Sequence, residues 1–332
     1  MTSPTSASET AASETAASET AASETEGLPT EQRHPGTAHL DEVDSLEVLR
    51  MLNDADRGVA DAVTAVLPQL AALVDATVAA LRRGGGVHYV GAGTSGRLAV
   101  LDAAELRPTF TLEPGRFVAH LAGGERALTD AVENAEDDED AGAAAVASLG
   151  PDDVVVGIAA SGRTPFVAGA LRAARARGAT TALVANVPAP RLAGLADHVL
   201  AVDTGPEVLT GSTRLKAGTA TKMVLNGFST AVMVGLGRTY SNLMVSLVAT
   251  NAKLEARSVR VLQEITGLTA AAAAETLARA DGELPTALVV ALTGRDPAAA
   301  REALARTDGS VRAAVALPGE QGVGDAFQPF RP

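Results

Sequence analysis

Two stretches of the chain end in the same three residues. Val90-Gly91-Ala92-Gly93-Thr94-Ser95-Gly96-Arg97 and Val156-Gly157-Ile158-Ala159-Ala160-Ser161-Gly162-Arg163 both read V-G-x-x-x-S-G-R after an apolar run. A hydroxyl, a glycine and an arginine at the opening of a helix are parts of an anion cradle, because the first helical N–H groups have no partner within the helix and point at whatever precedes it. The first copy also spells GxGxxG through Gly91, Gly93 and Gly96, the turn that dinucleotides use. The second copy lacks the middle glycine, which is the one that lets a pyrophosphate approach the backbone. A ribose-binding acid belongs about 20 residues beyond the glycines, yet the first acid after the strand FVAHLAGG, Glu125, falls farther along. The part common to both copies therefore predicts a site for one phosphate rather than for a dinucleotide. The alternative is a pair of tight strand-to-helix turns capped by serine.

The elements that must hold these turns can be read from periodicity. Between Leu40 and Gly86 apolar residues recur at helical intervals, as at Val66, Leu70 and Val74, and predict two or three helices that stop at Gly84 to Gly86. From Val87 the pattern alternates between short apolar runs and helical segments: VHYV, RFVAHL, DDVVVGI and TTALVA each precede a helix or turn. Such alternation predicts parallel strands flanked by helices. From Thr213 the chain reads as mainly helical. LTGSTRLKAGTATKMVLNGF predicts a long helix capped at Ser212 or Thr213, with Lys216 either reaching a substrate oxyanion or serving as a structural partner. The Val224, Phe228, Val232 stripe on that helix predicts packing or a contact between two copies. Three or four short helices are expected after Ile265, and LPGEQGVGDAFQPFRP at the end is expected to lack structure.

Composition removes several classes of function. With 332 residues there is length for a large core. Lys and Arg number 27 against 40 Asp and Glu, a formal charge of −13, and aromatics make up 2% of the chain. That balance opposes broad attraction to nucleic acid or to an anionic membrane, and it leaves few rings for base stacking. The chain has no Cys, and its five His (His34, His39, His88, His120 and His198) show no metal-ligand spacing, so neither a metal nor a thiolate nucleophile is expected. No charged start and apolar run suggest a secretory signal, and the apolar runs are far shorter than the ~20 residues of a membrane span. A cytoplasmic location follows as the expectation. The repeat of AASET after SASET, from Ser6 to Thr25, is polar and predicts a disordered tail over residues 1–37.

Longer motifs carry a resemblance. YVGAGTSGRLAVLDAAELRPTF, VVVGIAASGRTPFV, GPEVLTGSTRLKAGTATKMVLN and NLMVSLVATNAKL resemble the N-acetylmuramic acid 6-phosphate etherases, which belong to the sugar isomerase (SIS) domain proteins, over about Ser45 to Arg312. Ala104 stands where that family often has Ser, and Leu106-Arg107 replaces a typical Cys-Pro before Pro108. The resemblance implies an α/β fold, a SIS-type parallel sheet flanked by helices in a Rossmann-like three-layer sandwich. The sugar-phosphate domain would run over 38–257, with a small helical module and tail over 258–332. It also implies a lyase of amino-sugar catabolism and cell-wall recycling. The enzyme would remove D-lactate from the C3 ether of a phosphorylated amino sugar and then add water, giving N-acetylglucosamine 6-phosphate.

Such chemistry needs one base for the C2 proton and one acid for the departing lactate oxygen, with no cofactor and no metal. The family's catalytic glutamates fall on Glu105 in DAAELRPT and Glu136 in AVENAEDD. Glu105 is expected toward the end of a helix, whose negative terminus disfavours a carboxylate anion, and is assigned lactate protonation. Glu136, expected at helical spacing from Glu133, Asp137 and Asp140, is assigned proton abstraction. Without the resemblance both would be read as solvated surface acids, as Glu133, Asp137, Asp138, Glu139 and Asp140 still are. Phosphate contacts are expected from Ser95, Ser161 and Thr164, with Gly96 and Gly162 permitting close approach, and Arg97 and Arg163 either in solvent or paired with acidic helices. SIS-type proteins usually build the site between two copies, so a homodimer is implied. A non-catalytic sugar-phosphate sensor and an aldose-ketose isomerase are the alternative functions.

Overall fold

Why the central strands form is visible in their composition. Val154–Ile158 is buried along its whole length, and a continuous apolar run with no polar alternation suits a strand covered on both faces. In the computed structural model, which describes residues 28–246 and 252–318, this strand is β3. The sequence repeat from Ser6 to Thr25 and the closing segment from residue 319 onward lie outside the described residues, as do positions 247–251 of the NLMVSLVATNAKL motif.

The chain divides into two compact units. Among the described residues, the first comprises 28–73, 87–100 and 118–226, the second 74–86, 101–117, 227–246 and 252–318. Three helices open the described chain after residue 44: α1 (Ser45–Asp56), capped by Asp44, whose side chain accepts from Glu47 N, then α2 (Val59–Thr64) and α3 (Leu67–Arg82). The strands β1 (Val87–Gly91), β2 (Phe117–Leu121), β3, β4 (Thr180–Ala185) and β5 (His198–Ala201) form one sheet in the order β2-β1-β3-β4-β5. β1 pairs with β3, β3 with β4 and β4 with β5, all parallel, and the last rung between β1 and β3 joins Gly91 to Ile158. The expectation of a parallel sheet flanked by helices is met.

The helices between the strands are α4 (Gly93–Phe110), α5 (Glu139–Ala145) and α6 (Pro165–Ala176). Pro165 occupies the first turn of α6, where its missing N–H costs nothing, and the helix buries Phe166, Val167, Leu171 and Ala174 into the core beside Val90, Val155 and Leu183. After β5 comes α7 (Lys216–Gly235), the last element with residues in the first unit.

Residues 28–37, expected in the tail, are folded. Leu28, Thr30 and Thr37 are buried in two short 3-10 turns, Thr37 Oγ1 donates to Val208 O at 2.9 Å, and Gly211 N donates to Thr30 O at 3.2 Å. The partners are distant in sequence, so a local polar composition could not reveal them.

The second unit is mainly helical. A short hairpin of β6 (Thr239–Tyr240) and β7 (Leu243–Met244) precedes α8 (Ala252–Thr266), α9 (Ala270–Arg279), α10 (Leu284–Thr293), α11 (Pro297–Ala305) and α12 (Val311–Ala316). Its core joins Leu262, Leu277, Leu284, Leu288, Ala300 and Val311. Among the described residues no single helix is long and apolar enough to cross a membrane; Ser45–Thr64 with Leu67–Arg82 reach that length and composition only as a pair bent by 56°.

Candidate active site

The order β2-β1-β3 sends the chain outward from β1 and then back across it, so the turns leaving β1 and β3 diverge at the C-terminal edge of the sheet. In open α/β sheets that point forms the crevice in which ligands bind. The two S-G-R turns are the ones that leave β1 and β3. They carry Ser95 and Ser161, both half-buried, into the openings of α4 and α6. Thr164 stands at the N-cap position of α6, but its side chain makes no capping bond. Among the described residues, the hydroxyls of Ser95, Ser161 and Thr164 have no protein partner.

The two glycines have a structural task. A Cβ on Gly96 would lie 2.6 Å from Gly91 O and would also run into Leu121, so glycine lets α4 start against β1. Gly162 has φ +66, and a Cβ there would lie 2.8 Å from Pro190 Cα. Both N–H groups are already committed, Gly96 N to Ala92 O at 3.2 Å and Gly162 N to Ala159 O at 2.8 Å. The space the glycines free is therefore occupied by protein, which differs from the close approach to a ligand that their position suggested.

The arginines of the two turns diverge. Arg97 binds backbone carbonyls: Nε donates to Ala127 O at 2.9 Å and Leu128 O at 3.2 Å, and Nη2 donates to Asp130 O at 2.9 Å. It pins the 3-10 turn Glu125–Leu128 to the start of α4 while staying half-exposed, and its acceptors are backbone carbonyls rather than an acidic helix. Arg163 is half-buried, and its Nε is enclosed without an acceptor.

A third helix start adjoins the two turns. A Cβ on Gly218, in the first turn of α7, would touch Thr94 Cγ2 at 3.6 Å, and Thr221 Oγ1 donates to Asn186 Oδ1 at 3.2 Å. Asn186 follows β4 and is tied to the second S-G-R turn by its own N–H, which donates to Ala160 O at 2.9 Å. The start of α7 is capped neither by Ser212 nor by Thr213, as expected from the sequence, but by Glu207. That wholly buried carboxylate accepts from Lys216 N at 3.0 Å and Ala217 N at 2.9 Å. An anion at a helix N-terminus is favourable, and here it also satisfies two otherwise unpaired donors. Lys216 Nζ donates to Thr204 O at 2.7 Å and the residue is buried, so the structural role is present in the fold. Two of its three ammonium protons are left over.

Glu105 is exposed on α4, which runs through Pro108 to Phe110 instead of turning after Glu105. The residue is thus more than a turn from the helix end, where the terminal field has largely decayed. Glu136 is exposed in the 3-10 turn Ala135–Asp137, which follows Asn134 at φ +60. Glu133, Glu136 and Asp140 do not share a helix, so the helical spacing expected of them is absent. Asp138 instead caps α5 by accepting from Ala141 N at 2.8 Å, and Glu139 pairs with Arg172.

Among these groups, Glu207 and Asn186 escaped the reading of the sequence, and Arg163 was expected in solvent or beside an acidic helix rather than enclosed. Glu207 lies nine residues before the helix it caps, outside any capping-box spacing. The only hint for Arg163 was its recurrence in both turns, and for Asn186 its place directly after an apolar strand.

Comparison with known proteins adds lineage. Residues 69–175 match the glucokinase regulatory protein N-terminal SIS domain, and residues 127–231 match the SIS domain. The chain is 54% identical over 264 residues to the N-acetylmuramic acid 6-phosphate etherase of Thermobifida fusca (strain YX), which covers 80% of this chain and 87% of the relative. It is 52% identical over 263 residues to the etherase of the same name from Deinococcus radiodurans, covering 79% and 86%. A phosphoheptose isomerase structure from Francisella tularensis overlaps 57% of this chain and 98% of its own, at 20% identity and a TM-score of 0.47.

Proposed function

Because the chain belongs to the family of N-acetylmuramic acid 6-phosphate etherases, we propose that it removes D-lactate from the C3 ether of N-acetylmuramic acid 6-phosphate and returns water to give N-acetylglucosamine 6-phosphate. The observation that carries the reading is 54% identity sustained over 264 residues. An alkyl ether is a poor leaving group, so the reaction proceeds through the open-chain sugar, where the C1 aldehyde acidifies the C2 proton. Glu136 takes that proton and Glu105 protonates the departing lactate oxygen; water then adds across the double bond with the roles reversed. Both side chains are exposed, which leaves them open to a substrate.

The phosphate is held by Ser95, Ser161 and Thr164, whose hydroxyls are unpaired among the described residues, with Gly96 and Gly162 shaping the turns and Lys216 adding charge at the start of α7. The working unit is a homodimer in the cytoplasm, a compartment consistent with a chain that has no Cys.

The test is incubation with N-acetylmuramic acid 6-phosphate in deuterated water, following lactate release and C2 exchange together. Wild type performs both, Glu105→Ala retains exchange but loses cleavage by at least ~100-fold, and Glu136→Ala loses both. Exchange that survives in Glu136→Ala refutes the division of roles. Binding without lactate release selects the sugar-phosphate sensor, and ketose without lactate selects the isomerase.

A further inference from the structure

The polar groups left unpaired in the first unit do not stop at the two serines. Arg163 Nε, Asn186 Nδ2 and Thr204 Oγ1 are all enclosed without a hydrogen-bond partner, and they follow the C-terminal ends of β3, β4 and β5 in that order. Enclosing a donor without an acceptor costs free energy, and more so when the donor is charged. The cost is conspicuous in this chain, where 40 Asp and Glu outnumber 27 Lys and Arg, yet among the described residues none accepts from Arg163 Nε. The matched position in the first turn shows the alternative: Arg97 spends its guanidinium on backbone carbonyls. Asn186 is only 1% exposed, and one end of its amide is bonded to Thr221, which leaves the other end without a partner among the described residues. The turns that carry the two residues are stitched together by Asn186 N to Ala160 O at 2.9 Å and Leu192 N to Gly162 O at 3.1 Å.

The row runs away from β1. A phosphate between the turns of β1 and β3 has the hydroxyls of Ser95, Ser161 and Thr164; the additional donors begin at β3 and continue toward β5, each strand displaced by about 4.8 Å. They suit a second acceptor on the same ligand. Resting on the etherase reading, we infer that Arg163 binds the carboxylate of the lactyl ether, with the Asn186 amide as the adjoining donor, and so distinguishes a sugar that carries this ether from one that does not. A guanidinium offers a planar pair of donors that matches the two oxygens of a carboxylate.

The experiment compares wild type, Arg163→Gln and Arg163→Lys against three probes. These are N-acetylmuramic acid 6-phosphate, the same sugar with its lactyl carboxyl converted to a carboxamide, and N-acetylglucosamine 6-phosphate as an inhibitor. Arg163→Gln is expected to raise KM for the acid roughly 10- to 100-fold. It should leave kcat within a few fold, handle the carboxamide as wild type does, and keep its affinity for N-acetylglucosamine 6-phosphate. Arg163→Lys recovers part of the loss because it restores charge without the fork. Equal weakening toward all three probes assigns Arg163 to the phosphate and overturns the inference, as does no change toward any. If wild type releases no lactate, the etherase reading falls. The subsite is then judged separately, from the Kd of the acid against that of the carboxamide in wild type and Arg163→Gln.

Discussion

At the N-terminal ends of the strands, polar side chains have found one another. Asp197 Oδ2 accepts from Thr181 N at 2.9 Å and Thr181 Oγ1 at 2.8 Å, locking β4 to the entry of β5, and Asp153 Oδ2 accepts from Gly150 N at 2.8 Å just before β3. Farther into the sheet, His88 near the start of β1 and His120 near the end of β2 stack at 5.3 Å between ring centroids and share a hydrogen bond of 3.0 Å between Nδ1 and Nε2. At the C-terminal ends the hydroxyls of Ser95, Ser161 and Thr164 and the buried Arg163 Nε and Asn186 Nδ2 have no partner among the described residues. One sheet thus has an end closed by its own hydrogen bonds and an end that leaves donors open. The open end must keep its shape by other means, and packing is the means available. Its turns are fitted to their neighbours through Gly96 and Gly162, where any side chain collides with protein.

The strongest way to break the comparison is therefore steric. Gly162→Ala places a Cβ at φ +66, where an L-residue is strained by about 1–2 kcal/mol. It also pushes that Cβ against Pro190, for which overpacking adds about 1–3 kcal/mol. Unfolding in urea is expected to show a loss of about 4 kcal/mol. A variant as stable as wild type indicates that the turn is not held by its fit to Pro190. At the closed end the larger effect is polar. Asp197→Ala removes the acceptor of Thr181, which is wholly buried, and is expected to cost about 2 kcal/mol in the same measurement. KM should stay unchanged, because Asp197 lies at the opposite end of the strands from the turns proposed to hold the phosphate. A rise in KM with no loss of stability would reverse the assignment of the two ends.

The same division governs what was legible in the amino-acid sequence. Strands β1, β3 and β4 are written in runs such as DVVVGI, and α6 in Pro165 followed by buried Phe166 and Val167, because burial and capping act over a few neighbouring residues. The paired S-G-R turns are legible for the same reason. What each polar group does afterwards depends on partners brought from elsewhere. Arg97 and Arg163 have the same local context, and only the carbonyls of Ala127, Leu128 and Asp130 make the first structural. Glu207 caps a helix it precedes by nine residues, and Thr37 meets Val208 across most of the first unit's chain. Pro108 suggests a helix end, yet α4 carries it in its last turn, where the lost hydrogen bond is one of those nearest the frayed terminus. The carboxylates lie at the limit of this legibility. Resemblance singled out Glu105 and Glu136, whereas the local field proposed for each depended on helix boundaries that fall elsewhere.

The smallest expected effect concerns the closed end and is one of pH. Burial, then the neighbouring His120, lower the pKa of His88 from 6.5 to about 4 against an opposing pull from Asp153, and burial also lowers that of His120. Above pH 6.5 the ring of His88 is neutral in both the folded and the unfolded chain and contributes no pH dependence. Between 6.5 and about 4 the unfolded chain binds the proton that the folded chain refuses, so stability falls as the pH falls through that window; below about 4 the penalty is complete. His88→Gln removes the titrating group. Taken relative to its own value at pH 7.5, its urea midpoint should decline less steeply than that of wild type from pH 6.5 to 4. Parallel curves for the two proteins would show that the imidazole pair is solvated well enough to titrate alike folded and unfolded. The end of the sheet described as closed would then be open to water as well, and the contrast with the Ser95 and Ser161 turns would rest on Asp197 and Asp153 alone.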